Sequence, residues 1–483
     1  MPLKKRMPGL VAALVMFSPV LDVMTSLAAN LGVPVTIGTV VRTAMMLLAA
    51  FYVVFLAKFD RKPAVLGAMA VYMAYGLLFV ANLYRLGGPA LCVSNVQATA
   101  KTFFTPVMAL CLYALYRENG WTVSARQIAA AGATYTSVIL VAYLTGTGFT
   151  SYTDSGYGSC GWFYAANEIG CIVAITAPLV LYCVAAAITE NRTRRTSVLL
   201  TIAAMSVVFA ANFIGTKVVY GTTLLYAALA AVWFGIDYKK NGDPDSRTRC
   251  VLMAAVTAMI VGFYAVSPLA RYLSDVYLEL FKPDSPLRAI SQSEDVAAAA
   301  SGSALKALMD SNPVLDKIDQ LLSRRLLTAS SSVQVWMDAD LETKLLGIGY
   351  VTAPSYGRNV SFMIEMDFLA ILVRHGIAGF AIYALPYLLF IITACRRFLK
   401  DFKTCWASFR HCTYLYVVLA GFGIALIAGH ALVSPAVALF VLATCFGLHD
   451  EMRAPVKSFT DVPLPEVAPR LPEHRERRAG MAP

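Results

Sequence analysis

The sequence contains few charged residues for its length. Charged side chains make up 14% and hydrophobic side chains 58% of the 483 residues, whereas about 25% of the residues of a soluble domain are charged. An ordinary soluble protein is therefore excluded, and a membrane protein is predicted. The strict alternation of apolar and polar residues that is typical of a transmembrane barrel is absent as well. The predicted fold class is an all-α polytopic membrane protein.

The sequence also lacks the motifs of several cofactor-dependent enzymes. It has no Walker loop, no dinucleotide-binding glycine motif, no zinc-ligand spacing and no nucleophile elbow. Its five histidines are scattered, so neither a metal nor another cofactor is predicted. The net charge of +11 comes from short basic clusters between apolar runs, without interleaved aromatic residues. This pattern indicates membrane topology and excludes nucleic acid as a partner.

Twelve apolar runs have about the length of a membrane-spanning helix, which needs roughly 20 residues. They fall at about 8–29, 34–57, 63–84, 96–116, 127–147, 164–189, 196–214, 218–237, 250–270, 366–394, 411–430 and 433–449. The first run follows the basic residues Lys4 to Arg6 and lacks a small-residue cleavage site. We therefore expect it to be a retained helix and not a signal peptide.

The apolar runs divide the chain into four regions. Residues 1–270 contain nine predicted membrane helices, 271–365 form one large polar loop, and 366–449 contain three further helices. Residues 450–483 are rich in proline and charge, which predicts a disordered tail. In the loop, apolar residues of 303–329 recur at helical spacing, which predicts short amphipathic helices on the membrane surface.

The basic residues predict the orientation of these helices. Lysine and arginine cluster in every second short loop, while the opposite short loops contain only Arg85 and Lys217. By the positive-inside rule, both termini lie in the cytoplasm and the loop 271–365 lies outside.

Ionisable residues within apolar runs are costly, so each one is a candidate for a function. Asp22 and Arg42 lie at similar depth on adjacent antiparallel helices. A structural ion pair is the favoured interpretation, and a functional pair is the alternative. Lys217 lies in the string GTK, where it either extends to the lipid headgroups or contacts a phosphate group.

Further charged residues lie at the end of the large loop. Arg324 and Arg325 end an amphipathic segment, where they bind lipid headgroups or clamp a diphosphate with the planar guanidinium. Glu365 and Asp367 begin the next helix, whose dipole favours a carboxylate, and two carboxylates beside cations also fit a catalytic base. Arg374 lies seven residues after Asp367 on the same helix face, so we expect it to match that charge. Glu365 has no such partner and is the favoured base.

Cys92 and Cys160 are predicted to form a disulfide. Both fall in outer loops, where a disulfide persists. The other eight cysteines lie in or near apolar runs or on the cytoplasmic side.

Several strings, arranged in one order along most of the chain, resemble the O-antigen ligase and polymerase superfamily, particularly its Gram-positive branch. They are SPVLDVMTS (18–26), RTAMMLL (42–48), GWFYAANEIGCIVAITAPLVL (161–181), GTKVVYG (215–221), LLSRRL (321–326), KLLGIGY (344–350), EMDFLAILVRHGIAGF (365–380) and AGHALVSPAVA (428–438). The resemblance implies a GT-C-like fold in the bacterial cytoplasmic membrane. It also implies a metal-independent, inverting transfer of a glycan from an undecaprenyl-diphosphate carrier to an acceptor hydroxyl outside that membrane.

The resemblance combined with the charged residues gives roles to individual side chains. Arg325, helped by Lys217 and Arg374, holds the carrier diphosphate, and the turn GIGY gives a close backbone approach. Glu365 or Asp367 accepts the proton of the acceptor hydroxyl. The remaining predicted substrate-binding residues are Arg324, Lys344 and Tyr350.

One departure from the family pattern affects these roles. Gram-negative ligases carry a histidine-containing motif at the start of the helix after the large loop, and this chain has Glu365-Met366-Asp367 there. The difference favours a polymerase or a Gram-positive ligase. The alternative function is a lipid-linked oligosaccharide flippase or transporter, which is expected to show two similar halves. The predicted partners are the lipid-linked glycan, an acceptor glycan and membrane lipids, with a chain-length regulator as a further candidate.

Overall fold

The computed structural model describes residues 2–33, 37–152, 157–189, 194–271, 274, 325–350 and 364–453. Within these residues the chain forms fourteen α-helices and one β-hairpin. The helices are α1 (Pro2–Asn30), α2 (Ile37–Phe51), α3 (Lys62–Asn119), α4 (Ala125–Leu144), α5 (Ala166–Ala186), α6 (Arg194–Phe213), α7 (Lys217–Asn241), α8 (Pro244–Tyr264), α9 (Arg325–Asp338), α10 (Leu341–Leu346), α11 (Asp367–Lys400), α12 (Phe402–Ala407), α13 (Phe409–Ile427) and α14 (Pro435–Arg453). A π-helical turn, Tyr52–Leu56, continues α2, and a 3-10 turn, Ala187–Thr189, follows α5.

Eleven of the described helices are long and apolar enough to cross a membrane. The prediction of a helical polytopic membrane protein is therefore confirmed. One correction concerns the segment between α4 and α5, where β1 (Phe149–Tyr152) pairs antiparallel with β2 (Tyr157–Gly161). Strands of four and five residues are too short to give a clear period-2 pattern, so the sequence analysis did not predict them.

Helix α3 explains why twelve apolar runs give eleven helices. It contains 58 residues, which would form a straight rod of about 87 Å at 1.5 Å per residue. Its end nevertheless meets the segment just before its start: the backbone N–H of Lys58 donates to the Glu118 carboxylate at 2.9 Å, and Arg117 pairs with Asp60. Gly87 and Gly88 have non-helical backbone angles, so α3 folds back there into two arms. A chain with twelve crossings remains the prediction.

Helices α5 and α14 form the centre of the bundle. In α5, 89% of the most apolar stretch is buried, and in α14 78%, whereas the other candidate spans range from 22% to 56%. A helix that is apolar on every face fits such a central position. Small residues allow close packing against it: a Cβ on Gly132 of α4 would lie 2.6 Å from Thr176 of α5.

One end of the bundle, which we call the basic end, is held together by ion pairs. Lys4 Nζ lies 2.5 Å from Glu118 Oε1, which connects the start of α1 to the end of α3. Arg410 Nε lies 2.9 Å from Glu451 Oε1, which connects the start of α13 to the end of α14. The opposite end, called the site end, carries the starts of α2, α5, α7, α11 and α14. That the basic end faces the cytoplasm remains a prediction.

The predicted disulfide is not formed in this structure, because both cysteines are free. Cys160 is buried in β2, where its Sγ donates to the carbonyl oxygen of Phe163 at 3.0 Å. Cys92 lies in the second arm of α3, with its Sγ 3.6 Å from the carbonyl oxygen of Val80. Each thiol therefore contacts a backbone carbonyl oxygen within twelve residues of its own position.

Several predicted features lie outside the described residues. They include most of the amphipathic segment 303–329, with Arg324, and the tail from residue 454 onward. The described part of the large loop forms α9 and α10, which pack against the start of α11.

Candidate functional site at the start of helix α11

The site end places Arg325 against Glu365. Arg325 is the first residue of α9, and Glu365 lies two residues before α11. The Nε of Arg325 donates to Oε2 of Glu365, and its Nη1 lies 3.4 Å from the carbonyl oxygen of Ile427. The two side chains are 17% and 31% exposed, so a ligand can reach them. Glu365 was expected to have no arginine partner at helical spacing, and the structure adds a partner from another helix.

Asp367, the first residue of α11, is held by backbone amides. The N–H of His430 donates to Oδ1 at 2.7 Å, and those of Ala431 and Leu432 donate to Oδ2 at 2.7 and 2.6 Å. The residue is 1% exposed, and a buried carboxylate requires such partners. Arg374 attracts this carboxylate, as expected from the sequence, while the hydrogen bonds to it come from the turn between α13 and α14.

This turn, residues 428–434, owes its shape to two successive left-handed residues. Gly429 has φ 73° and His430 has φ 62°, and this conformation directs consecutive N–H groups toward one anion. A Cβ on Gly429 would lie 1.1 Å from the carbonyl oxygen of Glu365, so the turn also touches the backbone of the candidate base. The turn thus fixes the positions of both carboxylate residues.

The turn 347–350, with the sequence GIGY, packs on a break in α11. Gly376 has φ 68° and interrupts that helix. Ile348 N–H donates to the freed carbonyl of Val373 at 3.1 Å, and Gly349 N–H donates to the next carbonyl at 3.0 Å. A Cβ on Gly376 would lie 2.4 Å from the backbone of α10. The turn is close-packed against the backbone of the kinked helix, and a role for it in substrate binding remains a prediction.

Tyr350 belongs to a buried chain of hydrogen bonds. Its hydroxyl contacts the Thr102 hydroxyl and lies 2.7 Å from His375 Nε2. On the other side of the ring, His375 Nδ1 lies 3.1 Å from the Tyr75 oxygen, whose proton is donated to the His375 carbonyl at 2.8 Å. With the Tyr75 proton on the carbonyl, the imidazole proton is assigned to Nδ1, and Nε2 accepts from Tyr350. Burial raises the pKa of Tyr350 to about 12, so its hydroxyl stays protonated near neutral pH.

This chain connects both arms of α3 to α11, and Arg374 lies beside it. The Arg374 guanidinium carbon is 5.0 Å from the centre of the Tyr350 ring, a cation–π contact worth about 0.5–2 kcal/mol. Two of the predicted substrate-binding residues thus support each other, and their direct contact with a substrate remains a prediction.

A cavity of about 350 Å³ borders the turn 428–434. Its walls come from α1, α2, the second arm of α3, and the starts of α5 and α14. The titratable residues of its described lining are Asp22, Arg42, Lys101, Tyr164, Glu168 and His430.

The predicted pair of Asp22 and Arg42 is formed in this cavity wall. Arg42 Nη2 lies 2.6 Å from Asp22 Oδ1, and the Tyr135 hydroxyl donates to the other oxygen of the carboxylate. The side chains are 8% and 11% exposed for Arg42 and Asp22. The depth argument from the sequence therefore identified a true contact.

Comparison with known proteins decides the family. The family model described as O-antigen ligase like membrane protein matches residues 4–452. The chain belongs to this family. A comparison with curated proteins finds no match. Membership implies a membrane glycosyltransferase-type enzyme of glycan ligation or polymerisation, and it does not favour the flippase alternative.

Two further predicted residues of this O-antigen ligase-like protein lie at other points of the site end. Lys217 is the first residue of α7. Lys344 lies in α10, where its carbonyl oxygen accepts from the Trp336 indole at 3.3 Å. Neither side chain lines the cavity, and their contacts with a substrate remain predictions.

Arg85 is a residue whose role the sequence analysis did not identify. Its Nη1 lies 2.6 Å from Asp340 Oδ2, its Nε 3.1 Å from Glu342, and its Nη2 donates to the Thr343 hydroxyl at 2.7 Å. Arg85 thereby anchors α10 to the first arm of α3, and it holds the pKa of the Asp340 carboxyl well below its usual range. The sequence feature that could have indicated this role is that Arg85 is one of two basic residues in the short loops predicted to lie outside.

Proposed function

We propose that this protein catalyses the inverting transfer of a glycan from an undecaprenyl-diphosphate-linked donor to a hydroxyl of an acceptor glycan, on the outer side of the bacterial cytoplasmic membrane. The observation that supports the proposal most directly is the pair of Arg325 and Glu365 before α11. Arg325 is a candidate phosphate-binding cation and Glu365 a candidate base, and one hydrogen bond joins them. The protein belongs to a glycan ligase-like family.

The pairing suggests an order of events. Without substrate, Arg325 and Glu365 neutralise each other. A diphosphate competes for the guanidinium, because its oxygens match the planar fork of donors. The Glu365 carboxylate is then released from its cation and is able to accept a proton.

The transfer step follows from these two groups. The acceptor oxygen attacks the anomeric carbon from the face opposite the diphosphate and gives its proton to Glu365. The bond between the anomeric carbon and the phosphate oxygen breaks, and the carrier diphosphate leaves with the electron pair. Arg325 stabilises the negative charge that grows on the leaving group. Asp367 is a positioning residue in this proposal, because it holds the turn 428–434 against the backbone of Glu365.

The test is glycan transfer by purified protein in proteoliposomes, with lipid-linked repeat units as substrate. Arg325→Ala should lower transfer by roughly a hundredfold or more, and Arg325→Lys should restore little, because lysine lacks the planar fork. Glu365→Gln keeps the shape, removes proton acceptance and should cost roughly a hundredfold or more. Folding should change little, because a partly exposed pair contributes about 0–1 kcal/mol.

Arg271→Ala is the matched control, because Arg271 is an exposed arginine just after α8, and it should retain full transfer. Full transfer by Arg325→Ala would place the diphosphate clamp elsewhere. Movement of intact lipid-linked glycan across the bilayer without transfer would favour a transporter.

A further inference from the structure

The cavity beside the turn 428–434 has a polar wall that is suited to a ligand. Its volume of about 350 Å³ falls within the usual range of small-molecule sites, roughly 300–1,000 Å³. The Arg42 side chain is 8% exposed and Ser26 is fully buried. Arg42 Nε and Ser26 Oγ have no hydrogen-bond partner among the described residues. A buried polar atom without a partner is unfavourable, so both atoms favour a ligand that can hydrogen-bond to them.

The charges of the cavity indicate which ligand chemistry it accepts. Arg42 and Asp22 neutralise each other at 2.6 Å. The other charged lining residues of the described chain are Lys101 and Glu168, which have opposite signs. A diphosphate would meet two carboxylates in this cavity and gain no excess of cations. A neutral ligand that both donates and accepts hydrogen bonds fits the balanced lining better.

The uncharged lining residues fit a sugar. Hydroxyl groups line the cavity from α1, α2 and the end of the turn, and aromatic rings line it from α3 and the segment before α5. The hydroxyl residues are Thr25, Ser26, Thr39, Thr43 and Ser434, and the aromatic residues are Phe104, Phe163 and Tyr164. Hydroxyls and carboxylates hydrogen-bond to the edge of a pyranose ring, while its C–H face packs on an aromatic ring.

The position of the cavity assigns it to one substrate. The cavity and the ion pair border the same turn, since His430 lines the cavity while the carbonyl of Ile427, just before the turn, contacts Arg325. Arg325 and Glu365 are not among the lining residues. We propose that the cavity binds the sugar ring of the acceptor glycan that carries the attacking hydroxyl. This rests on the proposed function, in which Arg325 holds the donor diphosphate next to the turn. Glu168 and Arg42 then hydrogen-bond to the acceptor ring and contribute to its specificity.

The experiment measures binding of a free glycan separately from transfer. The probe is one repeat unit released from its carrier lipid by mild acid, and its binding to protein in nanodiscs is followed by saturation-transfer NMR. Ala100 lines the cavity and is partly exposed, so Ala100→Phe places a ring in the cavity without entering the core. Ala70→Phe is the matched control, because Ala70 is an exposed alanine of the first arm of α3 that does not line the cavity. Glu168→Gln, which is nearly isosteric, tests the same cavity if the phenylalanine variant does not fold.

We expect Ala100→Phe to weaken glycan binding and to raise the KM for the acceptor by tenfold or more, with the KM for the lipid-linked donor unchanged. Glu168→Gln should act in the same direction, and Ala70→Phe should match the wild type. Arg325→Ala should still bind the free glycan although it does not transfer it.

The outcomes separate the two proposals. No binding to the wild-type protein, unchanged binding in both cavity variants, or a rise in the KM for the donor alone would each overturn the acceptor site. Loss of free-glycan binding in Arg325→Ala would overturn the separation into two subsites. If the wild type transfers no glycan but Ala100→Phe still blocks binding, the cavity remains a sugar site and the proposed function fails.

Discussion

Replacing Asp367 by asparagine tests whether the turn 428–434 depends on one carboxylate. The carboxylate accepts three backbone hydrogen bonds, one at Oδ1 from His430 and two at Oδ2 from Ala431 and Leu432. In Asp367→Asn, the best orientation keeps the carbonyl oxygen on the latter two donors. The new NH₂ group then faces the His430 N–H, so two donors oppose each other and one buried N–H loses its acceptor.

The expected loss of stability follows from these contacts. A buried N–H without an acceptor costs about 1–3 kcal/mol, and bonds to a charged acceptor are worth about 1.5–3 kcal/mol against about 0.5–1.5 kcal/mol for a neutral one. The orphaned donor sets the expected loss at about 1–3 kcal/mol, because the weakening of the other two bonds is offset by the lower cost of burying a neutral side chain. The yield of folded protein should fall with activity.

Equilibrium unfolding of the purified protein in mixed micelles measures this difference. Asp338→Asn is the control, because Asp338 is exposed on α9 and, among the described residues, accepts from the Gln334 side chain one turn earlier. It should change the free energy of unfolding by under about 0.5 kcal/mol. A loss below about 1 kcal/mol for Asp367→Asn would refute the amide-nest account. A stable but inactive Asp367→Asn protein would instead indicate that Asp367 is the base and Glu365 the positioning residue.

Three further predictions use other parts of the molecule. Gly429→Ala should prevent stable folding, because its Cβ would lie 1.1 Å from a carbonyl oxygen at φ 73°. The control Gly423→Ala, where no atom lies within 4 Å of the new Cβ, should fold and be as active as the wild type in the same purification. A well-folded Gly429→Ala protein would contradict this geometry. Asp340→Asn should lower thermal stability at neutral pH, because Arg85 lowers the pKa of that carboxyl in the folded protein. The difference in stability from the wild type should be constant above the ordinary carboxyl pKa near 3.9 and shrink as the pH falls below it. A stability difference that grows toward acid pH would contradict this prediction. A cysteine at Ser301, in a variant without native thiols, should react with an impermeant reagent added outside, and labelling only from the cytoplasmic side would overturn the predicted orientation.

The membrane helices could be predicted from the sequence because each one depends on its own residues. Lipid offers no hydrogen bonds to the backbone, so an apolar run of sufficient length must be helical whatever its neighbours are. The contact of Asp22 with Arg42 was also predictable, since a short turn places adjacent helices side by side and the rise per residue gives the depth. The two arms of α3 were visible as two apolar runs, but only the structure shows that they fold back on each other at Gly87 and Gly88, where the backbone is not helical.

The partners of the charged site residues were decided by the tertiary structure. Glu365 pairs with a residue 40 positions earlier in the chain, and Asp367 with amides 63 to 65 positions later. Helical spacing describes neighbours on one helix, so it could suggest Arg374 for Asp367 but had no means of finding a turn between two other helices. Every non-proline residue has a backbone N–H group, so the sequence does not show which of these groups bind a carboxylate. Only the left-handed turn at Gly429 and His430, packed against the start of α11, makes three of them converge on one carboxylate.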